Sequence, residues 1–344
     1  MTTAMRGSGG SSRGDAMHKM PRAAFARLAL VVATVWPALA AAQVPPYPSR
    51  PIRIIVPLAP AGTTDIVARI VAQKFNDGLG QPVIVDNRPG AGTTLGTGLV
   101  ARAAPDGYTL LFTSASIATN AALYPKLPFD TIKDFAPVGP VGQSFYVLVV
   151  QPSLGVNSVQ DLITMAKAKP TQILYASAGQ GTITHLAVEL FMANAQIRMQ
   201  DVPFKGGAPA LLAFLSAQVP VIFSPIAEIL PHLRAGAKVR TLAVTNAKRV
   251  PELPETPTLT EAGLPGSDVV SKSGVYAPAG TPQSVVKRLN AEINRMVQQP
   301  EVRERFLSQG LVPIGGTPAE LSDYLKSEIA RWTKVVKGAG IKVE

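Results

Sequence analysis

The spacing of hydrophobic residues changes sharply a short way into the chain. The run "IRIIV" at 52–56 is apolar except for one arginine, which is typical of a buried strand. The sequence "PLAPAG" follows, and apolar residues then recur at helical spacing from Ile66 to Phe75. This pattern predicts a strand, a tight turn, and a helix over about 64–77 that ends at Gly78.

The same alternation continues almost to the C-terminus. Apolar runs such as "YTLLFTS", "SFYVLVV", "ILYASA" and "VPVIFS" are separated by stretches with helical spacing, such as "THLAVELFMANA". Alternating strands and helices predict an α/β chain with mostly parallel, buried sheets. The last segment is helical, and "TPAE" at 317–320 is a capping-box sequence with proline at the first helical position. One apolar face of this helix comprises Leu321, Leu325, Ile329, Trp332 and Val336.

A second glycine-rich turn echoes the first. The segment "ILYASAGQGTITHLAVELF" again predicts a strand, a turn, and a helix that opens on a threonine, Thr182. One such turn in each of two α/β domains would lie at the carboxyl ends of the strands, where ligands of open α/β sheets bind. The first amides of a helix lack intrahelical partners, and the helix dipole makes that end partly positive. The turns at 62–65 and 181–184 therefore predict an anion clamp without a lysine or arginine.

A structural alternative exists for each polar residue in these turns. Thr63, Thr64 and Thr182 are all of a type that caps helices. Asp65 favours the helix dipole and is spaced to pair with Arg69 one turn later. His185 lies near the start of its helix, where packing or a hydrogen bond to a neighbouring loop is the alternative to ligand contact.

The first 42 residues differ in character from the rest of the chain. A basic start, a short apolar stretch from Leu28 to about Leu39 and the ending "AAA" at 40–42 predict a secretory signal peptide that is cleaved before Gln43. A membrane anchor is the alternative, but the apolar stretch is shorter than the roughly 20 residues that a bilayer requires. Met17 is an alternative translation start, because the residues before it fit no targeting pattern.

Composition narrows the class of protein further. The 344-residue chain has a net charge of +11, and its predicted mature part has +7, with the charges scattered rather than arranged in a stripe. Nucleic-acid binding is therefore not expected. The chain has no cysteine, which excludes disulfides, thiolate metal sites and a lipid-anchored cysteine. An exported protein without cysteine suits a bacterial periplasm.

The sequence offers little for catalysis, metal binding or a cofactor. "GSSRG" at 10–14 matches a hydrolase motif but has no strand before it and no helix after it. "GAGTTLG" at 90–96 has the wrong spacing for a dinucleotide-binding loop. Metal-ligand spacing is absent from the sequence, so neither a metal nor a cofactor is expected. An exported hydrolase that uses Ser114 or Ser177 with His185 as base remains an alternative.

From Tyr47 onward the chain resembles the Bug-type receptors of tripartite tricarboxylate transporters, which are periplasmic solute-binding proteins. The stretches that carry the resemblance include "YPSRPIRIIVPLAPAGTTDIVAR", "VDNRPGAGTTLG", "APDGYTLLFTS", "YASAGQGTITHLAVELF", "VPFKGGAPAL" and "LAVTNAKRVPELPETPTLTEAG". The resemblance implies a two-domain periplasmic binding protein of type II, or Venus-flytrap, architecture that closes on a small carboxylate. It also implies a non-enzymatic receptor, most simply a monomer, whose partners are inner-membrane transporter subunits.

The resemblance also assigns site residues by position. It implies that backbone amides of both turns, with bridging waters, hold the carboxylate. The first turn comprises Pro60, Ala61, Gly62, Thr63, Thr64 and Asp65. The opposing turn comprises Gly179, Gly181, Thr182 and His185. Nearby loop positions are Thr113, Ser114, Phe204, Lys205, Ser224 and Ser273.

Three departures from the family pattern affect the site. Ala61 replaces a glycine of the usual Pro-Gly-Gly, which narrows backbone freedom. "FSP" at 223–225 replaces "FDN" or a similar sequence and removes an acid and a donor from the cleft. "SKSG" at 271–274 lacks the aromatic residue that often precedes its glycine. The missing acid weakens the case for an amino-acid ligand.

We therefore predict two domains and a hinge. The first domain comprises 43–146 plus 272–344, and the second comprises 147–271. The crossings are "SFYVLVV" and "VVSKSGVYAP", and ligand favours the closed state. A ligand sensor that signals to a membrane partner rather than feeding a transporter is the alternative function.

Overall fold

The computed structural model describes residues 46–341, except for the side chain of Ala339. The predicted signal peptide, its cleavage site and the alternative start Met17 lie outside these residues. Within the described range, none of the helices combines the length and the apolar character that crossing a bilayer requires.

Ten strands alternate with ten α-helices over the described residues. The strands are β1 Ile52–Val56, β2 Val83–Asn87, β3 Thr109–Thr113, β4 Phe135–Val150, β5 Leu174–Ser177, β6 Gln200–Pro203, β7 Val221–Pro225, β8 Arg240–Val244, β9 Val270–Pro278 and β10 Leu311–Pro313. The helices are α1 Thr63–Leu79, α2 Thr94–Ala101, α3 Ser116–Leu123, α4 Val159–Ala168, α5 Ile183–Ala195, α6 Gly207–Leu215, α7 Ile226–Arg234, α8 Gln283–Val297, α9 Pro300–Leu307 and α10 Pro318–Ala339.

The strands form two sheets joined by one long strand. In the first lobe β1 pairs in parallel with β2 and β3, and β9 pairs antiparallel with β3. In the second lobe β5 pairs in parallel with β6 and β7. The first part of β4 pairs with β9 and β10, and its last residues pair with β7 and β8. Strand β4 therefore runs through both sheets.

The prediction of mostly parallel sheets is wrong. All pairings made by β4 and by β9 are antiparallel, and they outnumber the parallel pairings among the described strands. Parallel pairing is confined to strands that are connected through helices within one lobe. The long connecting strands cross from one lobe to the other and return, so they run in opposite directions beside each other.

Helix α1 ends two residues later than the sequence predicted. Gly80 has a left-handed conformation (φ 70°), and its amide donates to the carbonyl of Asn76. Gly78 lies inside the helix, where a Cβ would be 2.1 Å from Oε2 of Glu292 on α8. Gly78 therefore permits close packing of two helices, and Gly80 is the residue that terminates the helix.

The predicted capping box at the start of α10 is confirmed, since the Thr317 hydroxyl and the Glu320 carboxylate each accept the other residue's amide. The apolar face of this helix contributes to two separate clusters. Leu321 and Leu325 pack in a cluster of the first lobe, whereas Trp332 packs in the main core of the second lobe. The C-terminal helix therefore contacts both lobes.

Candidate functional site

The turn after β1 places the start of α1 beside the second lobe. Gly62 is the N-cap residue in an extended conformation, and the helix has no side-chain cap. The Thr63 amide donates to Oε1 of Glu228 at 2.7 Å. The next two amides, of Thr64 and Asp65, have no acceptor among the described residues. The capping interpretation of Thr63 and Thr64 is therefore wrong.

The carboxylate of Asp65 stabilises this turn by accepting hydrogen bonds. The donors are the Ala61 amide at 2.9 Å, the Asn87 side-chain amide at 3.0 Å and Nε of Arg69 at 2.9 Å. The predicted pair with Arg69 is thus present. Burial raises the pKa of Asp65, but the hydrogen bonds from Arg69, Ala61 and Asn87 outweigh burial and hold it below its usual range. The carboxylate therefore ties the turn to the end of β2 and to the next turn of α1.

Ala61 has a backbone conformation that favours glycine. Its φ is 69°, in the left-handed region, where a Cβ is strained. This is the position at which the resemblance leads one to expect a glycine. The Asp65 carboxylate holds the Ala61 amide in place and so maintains the strained turn.

The second turn, between β5 and α5, depends on its glycines. Gly181 has φ 80°, and a Cβ there would be 2.3 Å from Oδ1 of Asn120. Thr182 is the N-cap residue, but its hydroxyl donates to the carbonyl of Gly179 at 2.6 Å and does not cap the helix. The Ile183 amide donates to Oγ of Ser116 at 3.2 Å. The following two amides, of Thr184 and His185, have no acceptor in the described part of the chain.

Both helix starts border a cavity of about 40 Å³. Its lining comes from both lobes and from the crossing strands: Leu58, Thr63, Thr64, Val67, Ser114, Ser116, Ser144, Tyr146, Ala178, Thr182, Ile183, Thr184, Gly207, Pro225, Glu228, Ser273 and Leu311. No lysine, arginine or histidine is among these lining residues. Charge of the kind that would attract an anion therefore comes from the helix starts and not from cationic side chains.

The structure brings five of the residues assigned by resemblance onto the cavity wall. These are Thr63, Thr64, Ser114, Thr182 and Ser273. Pro60, Ala61, Gly62, Gly179 and Gly181 shape the backbone of the two turns behind that wall. The carbonyl of Lys205 accepts the Ala59 amide at 3.0 Å, which ties the end of β6 to the first turn.

The remaining assigned residues lie outside the lining. Thr113 is buried at the end of β3, and Phe204 and Lys205 follow β6, with the lysine side chain exposed. Ser224 is fully buried, and its hydroxyl donates to the carbonyl of Pro225. Pro225, and not Ser224, lies on the cavity wall. Side chains alternate between the two faces of a strand, so a site position shifted by one residue points to the other side.

The comparisons with known proteins identify the chain's family. The sequence profile described as the tripartite tricarboxylate transporter family receptor matches residues 67–341. The chain belongs to this family. The predicted resemblance to Bug-type receptors is thereby confirmed.

Solved structures of the tripartite tricarboxylate receptor family share the fold over most of their length. Rpa4515 of R. palustris, solved with adipate, is 36% identical with a TM-score of 0.82 over 86% of this chain and 99% of that chain. The periplasmic binding protein BugD is 33% identical with a TM-score of 0.82, over 87% and 100%. MatC from Rhodopseudomonas palustris, solved with malate, is 34% identical with a TM-score of 0.81, over 84% and 100%. The predicted two-domain Venus-flytrap architecture is confirmed.

His185 lies beneath the second turn and, in the described part of the chain, has no serine partner. The Gly181 amide donates to its Nδ1 at 3.5 Å, and its Nε2 faces Glu189 and Asp201 at 3.8 and 4.0 Å. Burial lowers the pKa of His185 to about 4, so the ring is neutral at pH 7. Within the described residues, neither Ser114 nor Ser177 forms a hydrogen bond with His185.

Sequence reasoning missed Glu228, the carboxylate that borders the cavity. Glu228 lies in the first turn of α7. This position is about one helical turn after the "FSP" segment, where the resemblance implied the loss of an acid. An acid therefore borders the cavity although position 224 holds a serine. The available signal was an isolated acid in the apolar run "PIAEIL" directly after a strand. Ser116 and Tyr146, which also line the cavity, were missed as well.

Proposed function

We propose that this chain is a periplasmic solute-binding receptor of a tripartite tricarboxylate-type transporter that closes on a small carboxylate between its lobes. The observation that carries the proposal is the cavity between two uncapped helix starts, with no cationic side chain in its lining. Four helix-start amides have no acceptor among residues 46–341, those of Thr64, Asp65, Thr184 and His185. Helix amides of this kind bind anions. The adipate and malate bound to two relatives are the class of ligand that this site would hold.

The energetics permit binding without a cation. A hydrogen bond to a charged group contributes roughly 1.5–3 kcal/mol, so three or four such bonds, less desolvation and ordering costs, support the roughly 8 kcal/mol of a micromolar ligand. A cavity of about 40 Å³ has room for about three water molecules. A ligand of four or more carbons exceeds this space, so its binding requires the lobes to part.

Hydrogen bonds between the lobes would break during that opening. They include the bonds of the Thr63 amide to Glu228, the Ala59 amide to the Lys205 carbonyl, the Thr119 hydroxyl to the Gly181 carbonyl and the Ile183 amide to Ser116. We retain the division into 43–146 plus 272–344 and 147–271, with β4 and β9 as the hinge strands. Periplasmic location, a monomeric receptor and docking onto inner-membrane transporter subunits complete the proposed function.

A ligand screen with one blocking variant tests the proposal. Purified protein is titrated by calorimetry with mono- and dicarboxylates of three to six carbons, including malate and adipate. At least one is expected to bind at micromolar concentration with one site per chain. Ala178→Leu places a larger side chain on the cavity wall and should abolish binding, whereas Ala193→Leu, on the exposed face of α5, should not. Unchanged affinity in Ala178→Leu would place the ligand elsewhere, and no binding of any carboxylate would refute the function.

A further inference from the structure

Glu228 presents one committed and one uncommitted oxygen at the cavity wall. Oε1 accepts the Thr63 amide at 2.7 Å, at the start of α1. Oε2 is buried and has no hydrogen-bond partner in the described structure. The carboxylate fits against bare backbone, because a Cβ at Gly207 would lie 2.3 Å from Oε2 and a Cβ at Gly62 would lie 3.2 Å from Oε1. Glycines at both positions therefore make room for this carboxylate.

The surroundings of Glu228 leave its charge uncompensated by any cation. Among the described residues, no lysine, arginine or histidine lies within ion-pair distance of it. Burial raises the pKa of Glu228, and the amide and the nearby hydroxyl of Thr63 both oppose that rise. A buried acceptor without a donor costs free energy, so Oε2 favours any ligand group that brings a donor to it.

Thr63 adds a second unsatisfied atom at the same end of the cavity. Thr63 is only 8% exposed, and its hydroxyl oxygen is buried without a hydrogen-bond partner in the residues described. The opposite wall is different, since the hydroxyls of Ser116 and Thr184 there already accept the amides of Ile183 and Ala178. Among the described residues, the Glu228 end of the cavity thus has an unpartnered carboxylate oxygen beside the unpartnered amides of Thr64 and Asp65, whereas the unpartnered groups at the start of α5 are amides.

We propose that the Glu228–Thr63 end of the cavity receives a hydrogen-bond donor of the ligand, so that the receptor selects carboxylates that carry a hydroxyl or ammonium group. The inference rests on the proposed function, with the ligand's carboxylate at the start of α5. A second carboxylate directed at Glu228 would either place two anions together in a poorly hydrated space or require one of the two carboxyl groups to take up a proton. A hydroxyl satisfies Oε2, and an ammonium also neutralises its charge.

Matched ligands separate the contribution of a hydroxyl from that of an ammonium group. Succinate, malate and aspartate share a four-carbon dicarboxylate skeleton and differ only in hydrogen, hydroxyl or ammonium at one carbon. Calorimetry at pH 7 on the wild-type protein is expected to show malate or aspartate binding at least about tenfold more tightly than succinate, because a site built around an unpaired acceptor rejects the analogue without the donor. Propionate, lactate and alanine give the same comparison with a single carboxylate.

Two variants assign the preference to Glu228. Glu228→Gln keeps one carbonyl oxygen for the Thr63 amide and places an NH₂ group at the Oε2 position. An ammonium cannot bind that donor, whereas a hydroxyl can accept from it, so a preference for aspartate should fall about tenfold while a preference for malate stays within about threefold. Glu228→Ala removes the acceptor and should abolish both preferences. Glu255→Gln, on an exposed loop, is the matched control and should change neither. Far-UV circular dichroism and thermal unfolding show that each variant is folded.

The outcomes distinguish this inference from the proposed function. Succinate bound as tightly as malate and aspartate by the wild-type protein would overturn the inference while leaving a carboxylate receptor intact. A preference that survives both Glu228→Gln and Glu228→Ala would also overturn it, because the selecting group would then lie elsewhere. Failure to bind any of the six acids, or any in the wider screen, would instead refute the proposed function.

Discussion

Replacement of Asp65 by asparagine tests whether a buried carboxylate holds the first turn in shape. Asp65 is 2% exposed and accepts three hydrogen bonds, from the Ala61 amide, the Asn87 side chain and Arg69. Asparagine keeps one acceptor oxygen but turns an NH₂ group toward the donors on the other side. Hydrogen bonds to a charged group contribute about 1.5–3 kcal/mol each, and Arg69 is half-exposed, so its bond contributes less. We expect a loss of about 3 kcal/mol in the free energy of unfolding.

The assay is urea denaturation followed by circular dichroism, with Asp77→Asn as the control. Asp77 lies on the same helix, is exposed and makes no ion pair among the described residues, so its replacement should change the unfolding free energy by less than about 0.5 kcal/mol. Because the pKa of Asp65 is held below its usual range, its contribution is present above about pH 4 and is lost as pH falls through the folded-state pKa. The difference between wild type and Asp65→Asn should therefore narrow in acid. Equal effects of the two variants at pH 7 would show that the carboxylate does not stabilise the turn.

Three further predictions concern residues around the site and in the core. Ala61→Gly should relieve the strain of a left-handed alanine and raise the unfolding free energy by about 0.5–1 kcal/mol; a loss of stability in denaturant titrations would contradict this. The folded-state pKa of His185 is about 4, so the unfolded chain protonates first as pH falls below about 6.5. Wild type should therefore lose about 2 kcal/mol relative to His185→Gln between pH 7 and pH 5, and parallel stability curves would refute the buried neutral ring. Trp332 is fully buried, and its Nε1 donates to Glu328 at 2.9 Å. Trp332→Phe should therefore lower the free energy of unfolding by about 1–3 kcal/mol, measured by thermal or urea unfolding. An unchanged midpoint would show that this hydrogen bond does not stabilise the fold.

Local signals in the sequence were enough for the elements and for the two helix starts. The change from continuous apolar spacing to helical spacing located β1 and α1, and glycine-rich turns located the starts of α1 and α5. The pair of Asp65 with Arg69 followed from a spacing of one helical turn, and the capping box at Thr317 from four consecutive residues. Interactions between residues close in sequence are set largely by the local backbone, so a single sequence contains them.

Long-range pairing decided what those signals could not. The antiparallel pairing of β4 with β9 joins residues more than a hundred positions apart, and no local pattern records the direction in which such strands meet. Ser224 and Pro225 show the same limit at the scale of one residue, because a strand's register decides which of two neighbours faces the cavity.

By itself, the sequence determined the family, the alternating elements and the positions of the two helix starts, because each depends on residues that are neighbours along the chain. Only the tertiary structure decided that Glu228 meets Thr63, since these residues are 165 positions apart and come from different lobes. The sequence contains the carboxylate but not its location, and the location determines its charge environment and its free oxygen. A carboxylate in water is an ordinary surface group, whereas the same group buried beside a helix start without a cation becomes an acceptor that a ligand can satisfy.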